Sequence, residues 1–347
     1  MRKRTRRFWA FGLAALAVLA FLFVPTGQYV EVPGSAESLK PYVNVQGIKD
    51  QEAGSYMLTT VGIIGPATPA VLVWSKFQPY SEILSKTELM GADSSAEYEL
   101  LQRYDIQSAA NNAIQAAFKQ AKRKVVVNHL GIYVMSLLKD SPFRNQLKLG
   151  DTITALDGKH YQTAADYVAA IKKRKVGAKL TLTYLRDGRS HQATAKLMQL
   201  PNTKQAGIGI TLTEHTTVSS TPKVTIDAGA IGGPSAGLMF ALETYTLITH
   251  QKLRQGQNVA GTGTIEADGT VGQIGGIDKK VVIANKEGAK VFFAPDQPAT
   301  KAILKADPTY QNNYAVAKKA AKAIGSHMVV VPVKHLQDAV DYLTSRD

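Results

Sequence analysis

The segment Gly232-Gly233-Pro234-Ser235-Ala236-Gly237 sets one serine among small residues, just ahead of an apolar run that reaches His250. Proline suits the first turn of a helix, and the serine stays uncrowded where a strand hands over to that helix. Backbone amides at such a helix start lack partners within the helix and can face a developing oxyanion; Gly233, Ser235 and Ala236 are the candidates. A serine nucleophile also needs a base. The segment Gly275-Gly276-Ile277-Asp278-Lys279-Lys280-Val281-Val282-Ile283-Ala284 offers one, with Lys280 lying 45 residues after Ser235. On a helix, Ile277, Lys280, Val281 and Ala284 share a face, which places Lys280 on the apolar stripe and points Lys279 and Lys286 elsewhere. Desolvation lowers the pKa of an ammonium towards the range of a working base.

The serine segment also satisfies GxSxG, the nucleophile elbow of α/β-hydrolases. That reading, an esterase, requires an acid and then a histidine downstream. Asp296 or Asp307 followed by His327 or His335 would serve, but only 112 residues follow Ser235, too few for the rest of that fold.

Together the two segments resemble the proteolytic domain of Lon-type proteases (endopeptidase La), with GPSAG supplying the nucleophile and GGxxxK the lysine. Gly263-Thr264-Ile265, the run Gly272 to Gly276 and the tail Gly288 to Pro295 resemble that family too. The resemblance implies Ser235 as nucleophile, Lys280 as general base and acid, and Thr262 as a hydrogen-bonding support for the lysine. This chain departs from the family in one respect: Gly232 and Gly233 stand where an acidic residue usually precedes GPSAG.

Upstream, Val125 to Leu197 reads as short strands divided by turns, with a helix at Asp166 to Lys173 and a hairpin at Arg186-Asp187-Gly188-Arg189. Leu130-Gly131-Ile132-Tyr133 and the stretch from Leu149 to Gly158 resemble a PDZ domain. Such a domain takes an extended peptide as an added strand beside its helix, and the resemblance places the carboxylate-binding loop at Leu130, Gly131, Ile132 and Tyr133. Further upstream, Ala96 to Lys122 reads as helix. Val43 to Val45, Tyr56 to Ile64 and Val71 to Trp74 read as strands, and Tyr29 to Leu39 carries turn signals at Pro33-Gly34 and Ser35. Beyond Pro201, strand and helix alternate.

The N-terminus opens with five cations in seven residues, then the uncharged run Phe8 to Val24. A basic cluster ahead of an apolar stretch without a small-x-small site predicts an uncleaved signal anchor, with its N-terminus cytoplasmic and the rest outside the cell. The expected fold is thus α+β: an N-terminal transmembrane helix, then a PDZ-like β-barrel domain inserted before a Lon-type α/β proteolytic domain. The expected boundaries are 1–27 for the basic tip and anchor, 28–122 for strands and helices belonging to the protease fold, 123–200 for the PDZ domain and 201–347 for the proteolytic domain. This order resembles the membrane-anchored PDZ-containing Lon-type serine proteases of Gram-positive bacteria, among them the pheromone-processing enzymes.

Composition narrows the chemistry further. The 347 residues contain no cysteine, which excludes disulfides, thiolate metal sites and cysteine nucleophiles. The formal charge of +14 falls to about +9 once the N-terminal cluster is set aside, and no RNA-binding signature accompanies it. The seven histidines form no metal-binding pair, and no GxxxxGK[ST] loop predicts ATP hydrolysis. The expected activity is therefore that of an ATP-independent serine endopeptidase with no cofactor and no metal. It would act on secreted peptides or exposed protein segments recruited by the PDZ domain, with no nucleic-acid partner and with room left for a homo-oligomer. The rival reading is a catalytically idle, membrane-tethered PDZ scaffold that binds protein C-termini.

Overall fold

The computed structural model describes every residue except 1, 92, 202, 307, 308 and 347, and leaves undescribed the side chains of 2–8, 301, 302 and 306. A six-stranded mixed sheet runs in the order Val329–Val333, Val291–Pro295, Asn258–Gly261, Ser55–Ile64, Gln28–Ser38, Glu82–Ser85. The first four strands are parallel and the last two pairings antiparallel. Residues from both ends of the chain therefore build one sheet, and the parallel strands Val291–Pro295 and Asn258–Gly261 are almost wholly buried, as strands covered on both faces must be. Helix Gly237–Thr249 is buried along nearly its whole length. It anchors the main core, with Tyr56, Leu58, Phe118, Phe293 and Leu336 in the same cluster.

A second sheet of five strands lies between these parts in sequence: Ile210–Ser220, Val125–Leu137, Thr152–Leu156, Lys179–Arg186 and Arg189–Lys196. With helix Ala164–Lys172 it encloses its own core of Ile132, Phe143, Tyr167, Leu180 and Leu182. The long helix Ser95–Gln120, started by a Ser94–Glu97 capping box, runs between the two units. One face meets the turn around Gly233, where the Gln102 carbonyl accepts from the Gly233 amide at 2.9 Å. Another face meets the small sheet, where the Tyr104 hydroxyl donates to the Glu214 carbonyl (2.9 Å) and Asn111 Nδ2 to that of Thr216 (2.9 Å).

Several expectations are corrected. The apolar N-terminal run is helical, Arg2–Phe23, but among the described residues no helix is long and apolar enough to cross a membrane. From residue 8 to its end the helix is about 24 Å long at 1.5 Å per residue, short of the roughly 30 Å hydrocarbon core. The transmembrane helix, the signal anchor and a single-pass protein with its domains outside the cell are therefore not supported; the side chains of the basic cluster at 2–7 lie outside those described. Val71 to Trp74 is not a strand but part of helix Pro69–Ser75, because Thr68 caps the helix N-terminus and Pro69 occupies its first turn. Tyr29 to Leu39 is not a turn region: strand Gln28–Ser38 runs through it, and the Pro33-Gly34 signal becomes an irregularity in pairing between Pro33 and Ala36.

Candidate active site

Ser235 lies in the 3₁₀ turn Pro234–Ala236 that leads into helix Gly237–Thr249. Two glycines make this turn. Gly233 adopts φ +82°, a conformation that favours glycine, and a Cβ on Gly237 would stand 2.7 Å from Ile265 Cγ2. Lys280 lies in the first turn of helix Ile277–Lys286, which packs on strand Gln28–Ser38. Its side chain is 3% exposed and its Nζ donates to Ser235 Oγ at 2.7 Å and to Thr262 Oγ1 at 3.1 Å. The Thr262 hydroxyl in turn donates to the Ser235 carbonyl at 3.1 Å, and the Gly263 amide donates to the same carbonyl at 2.8 Å. The structure thus brings together Ser235, Lys280 and Thr262, which sequence places on three separate segments.

Burial pushes the Lys280 amine down to about 8, opposed by the nearby Glu31 carboxylate. A hydroxyl that stays within reach of solvent and an amine that sheds its proton near neutral pH are what proton abstraction by a general base requires. Both residues border a cleft of about 1000 Å³, with Leu58 to Val61 on one side and Tyr98, Gln102 and Arg103 on the other.

One sequence expectation changes here. Gly233 is not free to meet an oxyanion, since its amide is committed to Gln102; Ser235 and Ala236 remain at the turn. Lys279 lies off the Ser235 face, as its spacing predicts, and is itself buried: it is 3% exposed, with Nζ 3.1 Å from Glu31 and 3.0 Å from Glu82. The histidines of the esterase reading are remote from the cleft. His327 is exposed, His335 Nε2 pairs with Thr270 Oγ1 at 3.1 Å, and neither lines the cleft. Asp296 accepts from Asn312, and Asp307 lies outside the described residues.

Leu130, Gly131, Ile132 and Tyr133 occupy an interior strand of the small sheet. Ile132 and Tyr133 pair with Ile153 and Thr152 on one side and with Glu214 and Thr213 on the other. Such a strand has no free edge to which a peptide could add. The edge strand is Ile210–Ser220, which sequence reading placed in the proteolytic domain; it follows Gly207-Ile208-Gly209, with Gly209 at φ +71°, and touches helix Ala164–Lys172.

Two family models match the chain: a PDZ domain over residues 117–197, and the Lon protease (S16) C-terminal proteolytic domain over residues 177–339. A probable periplasmic serine protease of Haemophilus influenzae, described as do/HhoA-like, is 40% identical over 68 residues; these make up 19% of this chain and only 15% of that protein's length. Among solved structures, the PDZ domain of an SdrC-like protein from Listeria monocytogenes is 35% identical, covering 24% of this chain and 87% of that one with a TM-score of 0.23. A solution structure from Geobacillus thermodenitrificans is 34% identical, covering 23% and 94%, with a TM-score of 0.22. A PDZ domain and a Lon protease (S16) C-terminal proteolytic domain are thus present in the chain, their matched ranges overlapping at 177–197.

Proposed function

We propose that this protein is a serine endopeptidase that works through a Ser235–Lys280 dyad. The observation that carries the reading is the 2.7 Å bond between a buried amine, lowered to about 8, and a serine hydroxyl at the wall of an open cleft. Neutral Lys280 takes the Ser235 proton as Oγ attacks the peptide carbonyl. The amides of Ser235 and Ala236 stabilise the oxyanion, and Lys280 passes the proton to the leaving amine. Water then hydrolyses the acyl-enzyme, with Lys280 again as base. Thr262 holds the lysine in reach by accepting one of its hydrogen bonds. No nucleotide enters these steps.

A fluorophosphonate probe tests the reading directly. It should label wild-type protein at Ser235, faster as pH rises through 8, the value for Lys280. Labelling should survive His327→Gln and His335→Gln. A wild-type protein that takes up no label, or one that loses it with either histidine, would sink the dyad.

For the PDZ domain we propose that a peptide C-terminus adds to the free edge of Ile210–Ser220, beside helix Ala164–Lys172. Past Thr213 that edge is capped by Tyr104 and Asn111, which leaves Ile210 to Thr213 as the open length. Backbone pairing and carboxylate capture at Gly207-Ile208-Gly209 would then supply the affinity. In Ser235→Ala protein, a peptide with a free C-terminal carboxylate should shift the amide resonances of Ile210 to Thr213. Its C-terminal amide should bind at least about tenfold more weakly, a loss of roughly 1.4 kcal/mol. Shifts confined to Leu130–Tyr133 would refute this placement.

A further inference from the structure

The helix that carries Lys280 holds a second buried lysine that the reaction does not use. Lys279 Nζ lies 3.1 Å from Glu31, 3.0 Å from Glu82 and 3.7 Å from Asp278. It therefore joins the helix to strands Gln28–Ser38 and Glu82–Ser85. The three acids differ in their access to water: Glu82 is 56% exposed and Asp278 34%, whereas Glu31 is only 15%. Glu31 also lines the cleft with Ser235 and Lys280, and its Oε1 sits at the start of helix Ile277–Lys286, 3.0 Å from where a Cβ on Gly276 would stand. A carboxylate there attracts protons onto any amine at that helix end, and little water screens it.

We propose that Lys279 is a positioning residue that acts as a charge clamp, tying up the Glu31 carboxylate so that the neighbouring Lys280 can serve as the base. This inference deepens the dyad reading and rests on it. The electrostatics agree with the geometry. Burial pulls the Lys279 amine down, but its bonds to Glu82 and Glu31 outweigh that and hold it above the ordinary lysine value, so it stays a cation. Burial likewise lowers Lys280, and Glu31 is the charge that opposes this. Other groups around the pair are accounted for. Glu37, on the same strand as Glu31, is bonded to Tyr42. Tyr98, Glu99 and Arg103 border the cleft from helix Ser95–Gln120. Helix Asn313–Ala323, packed on the other side, carries Lys318, Lys319 and Lys322, all exposed.

The test is the acid limb of kcat/KM together with a direct titration of the Lys280 amine by NMR of ¹³C-labelled lysine. Lys279→Met should move both upward by about one pH unit, which lowers kcat/KM at pH 7 about tenfold. Glu31→Gln should move both downward. The double variant should return close to wild type, and Lys279→Arg should leave the limb in place. A lysine with a purely structural role would change melting temperature without this signed pattern. If Lys279→Met does not fold, Glu31→Gln decides alone: an unchanged Lys280 titration overturns the clamp, as does a folded Lys279→Met with unmoved titration. Because the NMR readout needs no turnover, shifts of the expected sign in a protein that cleaves no peptide would uphold the clamp and overturn the peptidase reading.

Discussion

Ser235→Ala is expected to lower peptide hydrolysis by at least about a thousandfold, and Lys280→Met to do the same, because neither half of a nucleophile–base pair works alone. Both losses should occur with the fold intact. Ser235 is only half-buried, and its Oγ is bonded to Lys280 alone among the described groups. Methionine keeps the length of the lysine and removes an amine whose charged form is disfavoured by burial. The sign of the linkage follows from the lowered value. Between about 8 and the ordinary lysine value the unfolded chain binds the proton more tightly, so the native state gains stability as pH rises. Below pH 8 the native state contains a desolvated ammonium, and Lys280→Met should melt no lower than wild type there. Hydrolysis of a fluorogenic peptide, followed with circular dichroism melts, checks both statements. A folded Lys280→Met protein that retains a tenth of wild-type activity would rule out lysine as the base.

Arg254→Ala is expected to cause the largest loss of stability in the chain. Arg254 is fully buried and bonded to Asp50 at 2.5 Å, to Glu243 at 3.2 Å and to the Glu52 carbonyl at 3.0 Å, with its guanidinium over the Tyr56 ring. Removing it would leave the buried Glu243 carboxylate and that of Glu52 without their cation, and Asp50 with only Lys40, 3.3 Å away, at a cost of about 3–5 kcal/mol, a large part of the usual stability of a domain. The loss should depend on pH. Burial raises the Glu243 carboxyl to about 7 even with Arg254 beside it. An acid with a raised value binds its proton in the native state, so its contribution is present in acid and is lost as pH rises through 7. Without Arg254 the value climbs further, and the variant should lose more stability at pH 8 than at pH 6. Equal losses at both values, in urea titrations of the full chain, would show that Glu243 does not titrate in this range.

The parts of this molecule legible in sequence were those with local causes. The meeting of Ser235 and Lys280 could be anticipated because glycines mark their turns and because a lysine on an apolar stripe is conspicuous. Helix Ser95–Gln120 was read from its composition, without a glycine or proline to interrupt it. Misreadings arose where the deciding partner is distant. The burial of Lys279 was not legible because helical spacing describes only its own helix, whereas Glu31 and Glu82 arrive on other strands. Leu130–Tyr133 had the right local texture for a peptide-binding loop, but the order of strands in the sheet, set by pairing with Ile210–Ser220, encloses it. At Val71–Trp74 the strand reading overlooked the Thr68-Pro69 helix start just before it.

Helix Ser95–Gln120 has a consequence for exchanging modules between proteins of this type. Gln102 fixes Gly233 next to the serine, and Tyr104, two residues on, fixes Glu214 of the small sheet. The helix is thus a shared beam, and the small unit is fastened to it through side chains that lie outside its own contiguous sequence. A graft that carried only the stretch from Val125 to Leu197 would leave its edge strand behind and lose the Tyr104 and Asn111 fastenings as well. A transplant that keeps its footing would have to include Ile210–Ser220 and bring the matching turn of the helix with it.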